Sequence, residues 1–459
     1  MKPDAPGPRD AARSKASGLL GRHALCDHCL GRLFARGAGL ASYELSGRRL
    51  RRSLEAAAAG PSAKCYVCRG LFDSLPDMLD LMETTVAEYE FDTFAVGATI
   101  KPSVLDRDDH VRSAYRLQGS DCVKTGLVRE LGSRFARMTR RRQDRHEPEV
   151  LIKVQPADRY CEVNPKPVAV FGTYLKQKRG VPQKQEACTS CLGRGCSACE
   201  FHGMPACGES VEGQISDLLF DRLGGRTIRF TWIGGEDRES LVAGRGRPFY
   251  ARIQRPKRRR IRIPRSISLG HGVLVSRLRD VAASDAGPLA FSSRARIQVR
   301  MTPCAFAKTE DDAAANGRYS DDPGSGGGAG DEGGAGRPGT GTTAATAQPA
   351  HDATGPSLLR RLRRLAASPL IIRTKNGREA AKSITRLTYR RGRKGTDSFV
   401  VTADLDGGIP IKRLVTGDGV RPSISEVLGV QCECVLFDFE DVWLRDGPAA
   451  SPSGARGTR

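Results

Sequence analysis

The stretch Gly234-Gly-Glu-Asp-Arg-Glu-Ser-Leu-Val-Ala-Gly-Arg-Gly-Arg-Pro-Phe249 decides how the rest of this chain is read. A mostly apolar run, Ile228 to Ile233, leads into it, and Arg247-Pro248-Phe249 opens another β-rich run. Between them Asp237 sits in a glycine-rich turn, followed by Gly244 and Gly246. The pattern reads as strand, tight turn bearing an acid, loop, strand. An acid in such a turn ordinarily caps the turn or faces water, so position alone does not make Asp237 a catalytic group.

The motif resembles the Gly-Arg-Glu-Asp…Gly-x-Gly-Arg-Pro-Phe signature of the archaeal tRNA pseudouridine-54/55 synthase family (Pus-ten). The resemblance implies that Asp237, at the place of the family's first Asp, is the nucleophile, and that Arg247 contacts the substrate. Two positions depart from the signature: the family's Arg is Gly235 here, and its second Asp is Glu239.

Composition points the same way. A chain of 459 residues has material for several cores, roughly two to four domains. Its 74 Lys and Arg against 52 Asp and Glu leave a net charge of +22. Such an excess favours a polyanionic partner, because each cation near a phosphate releases condensed counterions; a basic but otherwise ordinary surface is the plainer reading. There is no apolar run of about 18 residues, and the polar Met1 to Ser17 leads into no apolar signal core. A cytoplasmic protein without membrane contact is expected. Eight of the 14 cysteines fall in Cys-x-x-Cys pairs, which in a reducing compartment points to metal rather than disulfide.

Residues 1–20 read as a disordered, basic leader. Residues 21–163 are expected to form a zinc-knuckle and RNA-binding region. Cys26-Asp-His-Cys29 and Cys65-Tyr-Val-Cys68 present two knuckles that suit one tetrahedral four-thiolate zinc site, the alternative being two pairs of buried thiols. An α/β pattern follows: helix from Asp77, strand from Thr93, helix from Lys124, strand from Val150. By position and charge this region resembles the THUMP-type RNA-binding module of the family. The run Arg134 to Arg145 is read as an RNA contact, against a solvated helix end.

Residues 164–307 are expected to be the first part of the catalytic domain. Phe171-Gly-Thr-Tyr-Leu-Lys-Gln-Lys-Arg-Gly-Val-Pro-Gln183 is similar to a family segment, and a strand feeding a basic loop suits phosphate contacts. Cys188, Cys191, Cys196 and Cys199 follow, with glycines supplying the reversals for a second four-thiolate site; Cys207 is left unassigned. Half of a chaperone zinc module has a similar pattern, but only one copy is present. Ser210 to Leu223 reads as a helix with Ile215, Leu218, Leu219 and Leu223 on one face. The arginine-dense connector from Ile253 to Ile263 is placed to approach an RNA backbone, or else is solvated surface.

Residues 308–356 lack the apolar content to fold and read as a disordered insertion between strands of the catalytic domain. Residues 357–446 are the expected second part, and 447–459 a disordered tail. Gly407-Gly-Ile-Pro-Ile-Lys412 through Ser425-Glu426 matches a family segment, which makes Lys412 the candidate pocket charge and ion-pair partner of Asp237. The family places a Tyr in a Lys-x-Tyr-Arg-Ala strand and another just before Ile-Lys. Ser293 to Ile297 holds no Tyr, and the second position is Pro410.

The resulting expectation is an α+β protein whose pseudouridine-synthase-type catalytic domain has two sheet-rich halves around a cleft. It is an isomerase (an intramolecular transferase) acting on the T arm of tRNA at position 54, 55 or both. It should be a monomer with tRNA as partner, needing no small-molecule cofactor and holding one or two structural zinc ions. The alternative is a zinc-containing tRNA-binding protein with weak or lost activity. An RNA methyltransferase is disfavoured, since no glycine-rich nucleotide loop follows a strand with a downstream ribose-binding acid.

Overall fold

A computed structural model describes residues 8–34, 42–54, 64–205, 209–261, 264–282, 289–302, 355–374, 376–392 and 397–445. Backbone contacts divide the chain into two units: residues 1–174, 181–233 and 248–288 in the first, and 175–180, 234–247 and 289–459 in the second. The architecture is mixed α and β with several sheets.

The first unit opens with α1 (Pro8–Leu20), α2 (Asp27–Phe34), α3 (Tyr43–Ser53) and α4 (Leu75–Val86). Then come β1 (Thr93–Ala98), α5 (Pro102–Ala114), α6 (Val123–Thr139), β2 (Arg142–Gln143), β3 (Val150–Gln155) and β4 (Tyr160–Pro165). Their sheet has the order β2-β1-β3-β4, with β1 parallel to both neighbours and β4 antiparallel to β3. The four elements read from the sequence are present. Helix α5 escaped that reading because Asp108 stands in its inward stripe with Val104 and Val111; its carboxylate pairs there with the buried Arg32 guanidinium at 2.5 Å.

One expectation for this unit is corrected. Residues 8–20 are not a disordered leader but helix α1, because Ala16 and Leu19 are fully buried in the core it joins. The connector from Ile253 to Ile263 carries cations in ion pairs, most of them still exposed. Arg255 pairs with Glu162, Lys257 with Glu88, Arg259 with Glu149 and Arg260 with Asp92, at 2.5–3.6 Å.

The chain continues through β5 (Val168–Lys176), α7 (Val211–Leu223), β6 (Ile228–Trp232), β7 (Val242–Ile253), β8 (Ser266–Ser268) and β9 (Val273–Val281). Ser210 Oγ caps α7 by accepting from Gly213 N at 2.9 Å; Ile215, Leu219 and Leu223 are buried, while Leu218 is half-buried. Strand β6 pairs antiparallel with the later half of β7.

The second unit contains β10 (Phe291–Met301), α8 (Gly355–Leu362), α9 (Arg364–Ala367), β11 (Leu370–Arg373), β12 (Glu379–Lys382), β13 (Ile384–Arg391), β14 (Ser398–Asp406), α10 (Ile411–Thr416), β15 (Val420–Arg421), α11 (Ile424–Leu428) and β16 (Cys432–Leu444). Strands run β13-β14-β10-β16, all antiparallel, and β16 meets the start of β7 in parallel at Phe439 and Val242. From Ala295 onward strand β10 alternates: Ala295, Ile297 and Val299 enter the core while Arg296, Gln298 and Arg300 face solvent. A small antiparallel sheet, β12-β11-β15, completes the unit. Residues 308–354 and 447–459, and Cys207, lie outside the described residues.

Candidate active site

The glycine-rich turn is built by close packing. Gly234 has φ +79°, and a Cβ there would lie 2.6 Å from Phe291 Cζ and 2.7 Å from Arg247 Nη1. Only glycine meets both demands. Past it, strand β7 begins at Val242, earlier than the Arg247 start read from sequence. The start is pinned by Arg245, whose guanidinium makes a forked pair with Asp441 at 2.8 and 3.0 Å. Gly244, φ +64°, lets the chain pass Glu440 O, which a Cβ would approach to 2.3 Å.

The two neighbouring carboxylates of the turn have different fates. Glu236 is fully buried, held by Arg247 Nε at 2.9 Å and Lys176 Nζ at 3.6 Å, both cations buried as well. Lys176 also donates to the backbone oxygens of Asp237 and Arg238, at 2.8 and 3.2 Å. Burial pulls its ammonium pKa below the ordinary lysine value, against the pull of Glu236. Gly180 N donates to Arg238 O at 3.1 Å, and Arg238 Nε returns to Gly180 O at 2.7 Å. Arg179 grips Asp438 at 2.7 and 2.9 Å and donates to Glu239 O. Thus Lys176 of the basic segment supports the loop, where the sequence suggested phosphate contact.

Asp237, by contrast, projects: its side chain is 41% exposed and meets Lys412 Nζ at 2.5 Å. Lys412 stands in the first turn of α10. The hydrogen bond from its ammonium to Asp237 raises its pKa. The pairing expected from sequence is therefore present. The two flank a cavity of about 560 Å³ whose walls include Phe291, Ser293, Pro410, Phe437 and Phe439. Arg247 also borders it, but a fully buried guanidinium committed to Glu236 and lying 4.2 Å from the Phe439 ring centre is not a free substrate contact. Its placement ties it to the support of Glu236.

Near Ser293, where no Tyr stands, Phe291 brings an aromatic ring to the cavity wall. Alternation puts both residues on one face of β10, and both line the cavity. Counting back two positions from Ser293 would have found it. Lys176 and Glu236 were missed too; Glu236 adjoins Asp237 in the motif, but nothing in its spacing indicates burial.

Each cysteine set is assembled. The thiols of Cys26, Cys29, Cys65 and Cys68 lie within 4.8 Å of one another, as do those of Cys188, Cys191, Cys196 and Cys199. Edges of 3.7 Å (Cys26 to Cys68) and 3.8 Å (Cys191 to Cys199, Cys196 to Cys199) match the roughly 3.8 Å edge of a tetrahedron with metal–sulfur bonds of about 2.3 Å. Backbone N–H groups already point at the sulfurs, Gly195 N at Cys191 Sγ (3.1 Å) and Gly203 N at Cys199 Sγ (3.2 Å), as thiolates need. The buried Arg32, 3.7 Å from Cys29 Sγ, adds positive charge to the first set. Both sets can hold a metal ion. Among the described residues no helix is long and apolar enough to cross a membrane.

Comparison with known proteins places the chain among relatives. Residues 79–155 match the family model described as Pus10 THUMP domain, archaeal, and residues 169–281 match Pus10, C-terminal. The chain is 37% identical over 427 residues to a protein of Nitrosopumilus maritimus named tRNA pseudouridine synthase Pus10, covering 93% of this chain and 97% of that protein. A protein of the same name from Cenarchaeum symbiosum is 34% identical over 437 residues, covering 95% and 94%. One from Pyrococcus furiosus is 24% identical over 437 residues, covering 93% and 97%.

Proposed function

Because this chain belongs to the family of the Pus10 tRNA pseudouridine synthases, we propose that it isomerises uridine to pseudouridine in tRNA, at position 54, 55 or both of the T arm, with Asp237 as the nucleophile. The carrying observation is the exposed Asp237 carboxylate, paired with Lys412 at 2.5 Å beside the ring-lined cavity. In this reaction the N-glycosidic bond breaks, the uracil turns, and its C5 is joined to the ribose C1′. Atoms balance without an added reactant, so the work falls to one carboxylate: attack on base or ribose, or removal of the proton that starts glycal formation.

The residues divide that work. Lys412 orients the carboxylate and supplies positive charge where the substrate enters. Phe291 offers a face to the uracil once the nucleotide has left its stack. Lys176, Glu236 and Arg247 keep the loop in place. The THUMP-like region with Arg134 to Arg145 grips RNA, and zinc in each cysteine set braces the segments that carry those cysteines. The described cysteines form no disulfide, which suits the reducing cytoplasm in which we place this protein as a monomer.

Purified protein and an unmodified tRNA transcript test the reading, with pseudouridine mapped by carbodiimide labelling and primer extension. Stops at T-arm uridines, absent with Asp237→Ala although that variant still binds tRNA, are the expected result. The second reading, a tRNA-binding protein with decayed chemistry, is favoured by Ser293 and Pro410 at the cavity wall. It takes over if wild type binds the transcript and leaves every uridine unchanged.

A further inference from the structure

The second cysteine module presents two large apolar side chains where neither packing nor backbone preference accounts for them. Leu192 is 75% exposed and Phe201 48% exposed. Both lie in the left-handed region, at φ +50° and +64°, which disfavours bulky side chains. The same module uses glycine at three of its other left-handed reversals, Gly193, Gly195 and Gly203, and the polar Glu200 at the fourth, φ +50°. Leucine and phenylalanine thus stand where glycine would fold with less strain, and they gain little burial in return.

The surroundings are rigid and cationic. Phe201 N donates to Cys196 O and His202 N to Cys199 O, each at 2.8 Å, so the residue springs directly from the thiol cage. His202 stacks on Phe220 with ring centres 3.7 Å apart, which fixes the base of the projection. The Arg226 guanidinium lies 5.3 Å from the Phe201 ring centre, and both Arg226 and Arg194 are exposed. Backbone strain retained at exposed residues is a mark of use by a ligand. A flat ring with a guanidinium beside it, on a module that exposes a second arginine, suits a partner with both π faces and phosphates, which is unpaired RNA. A purely apolar protein surface would desolvate the guanidinium without pairing it.

We propose that Leu192, Phe201, Arg194 and Arg226 form a contact surface for unpaired bases of the tRNA, separate from the reacting nucleotide. This rests on the tRNA reading above and adds a second place of recognition to it.

Glycine substitution provides the test. A merely structural role predicts that Leu192→Gly and Phe201→Gly relieve strain at no other cost. The proposal predicts that both keep the wild-type metal content and an equal or higher urea midpoint, while the Kd for an unmodified tRNA transcript rises, about tenfold for Phe201→Gly. Phe201→Tyr, which keeps the ring, should bind as wild type does. Arg226→Gln should lower the slope of log affinity against log salt by about one. Wild-type affinity in both glycine variants overturns the proposal, and so does wild-type affinity in Phe201→Leu, which would mean apolar docking without stacking. Binding is read apart from isomerisation. A wild type that binds but does not isomerise therefore sinks the enzyme reading alone, and one that does not bind tRNA sinks both.

Discussion

Glu236 and Asp237 are adjacent carboxylates with opposite environments. Asp237 keeps 41% of its side chain in solvent beside Lys412, whereas Glu236 has none and sits between Lys176 and Arg247. Removing one partner from a buried ionic cluster leaves the others uncompensated, at a cost of about 3–5 kcal/mol. Glu236→Gln is therefore expected to lower unfolding free energy by about 3 kcal/mol, the lower end of that range, since the amide still accepts a hydrogen bond. Urea denaturation reads this directly, and an unchanged midpoint would remove Glu236 from the support of the loop. At this scale the sequence was informative about Asp237 and Lys412, because both lie in motifs set by near neighbours. It was silent about Phe291, because a strand's pattern does not say which cavity a face lines.

Among elements, β16 holds the site together. Its Asp438 takes the Arg179 fork and the Leu241 N–H at 2.9 Å, and its Asp441 takes Arg245. Partial burial works to raise the Asp438 pKa, but Arg179 and the Leu241 amide outweigh it and hold the carboxyl below the ordinary aspartate range. A depressed folded pKa means that the contribution is complete above the unfolded value near 4 and is lost as pH falls through the lower folded value. Asp438→Asn should thus cost about 1.5–3 kcal/mol at pH 7. The gap between variant and wild type should close as the pH drops below about 4. A gap that persists at pH 2 would show that packing, not charge, is what Asp438 supplies. Strands β6 and β7 were legible as apolar runs, but the early start of β7 was not, since it depends on Asp441 in a strand 196 residues away.

For the whole molecule, the two thiol sets predict about two bound metal ions per chain, each worth several degrees of thermal midpoint. Cys65→Ser and Cys188→Ser should each lose one equivalent by elemental analysis, and a strong chelator should lower the midpoint and expose the thiols. Full metal content in either variant would contradict four-thiolate binding at that set. The sequence by itself determined the chemistry that short spacing encodes: both cysteine pairs of each set, the acid in its glycine turn, and the excess of positive charge. Such features are specified by residues a few positions apart, whose geometry the backbone limits. Only the tertiary structure decided which cations are free to meet RNA. Lys176 is buried against the Asp237 loop 61 residues away, whereas Lys257 meets Glu88 at a separation of 169 residues and stays half exposed. A charge is neutralised by whatever folding brings within a few ångströms, and no local pattern in the chain records that partner.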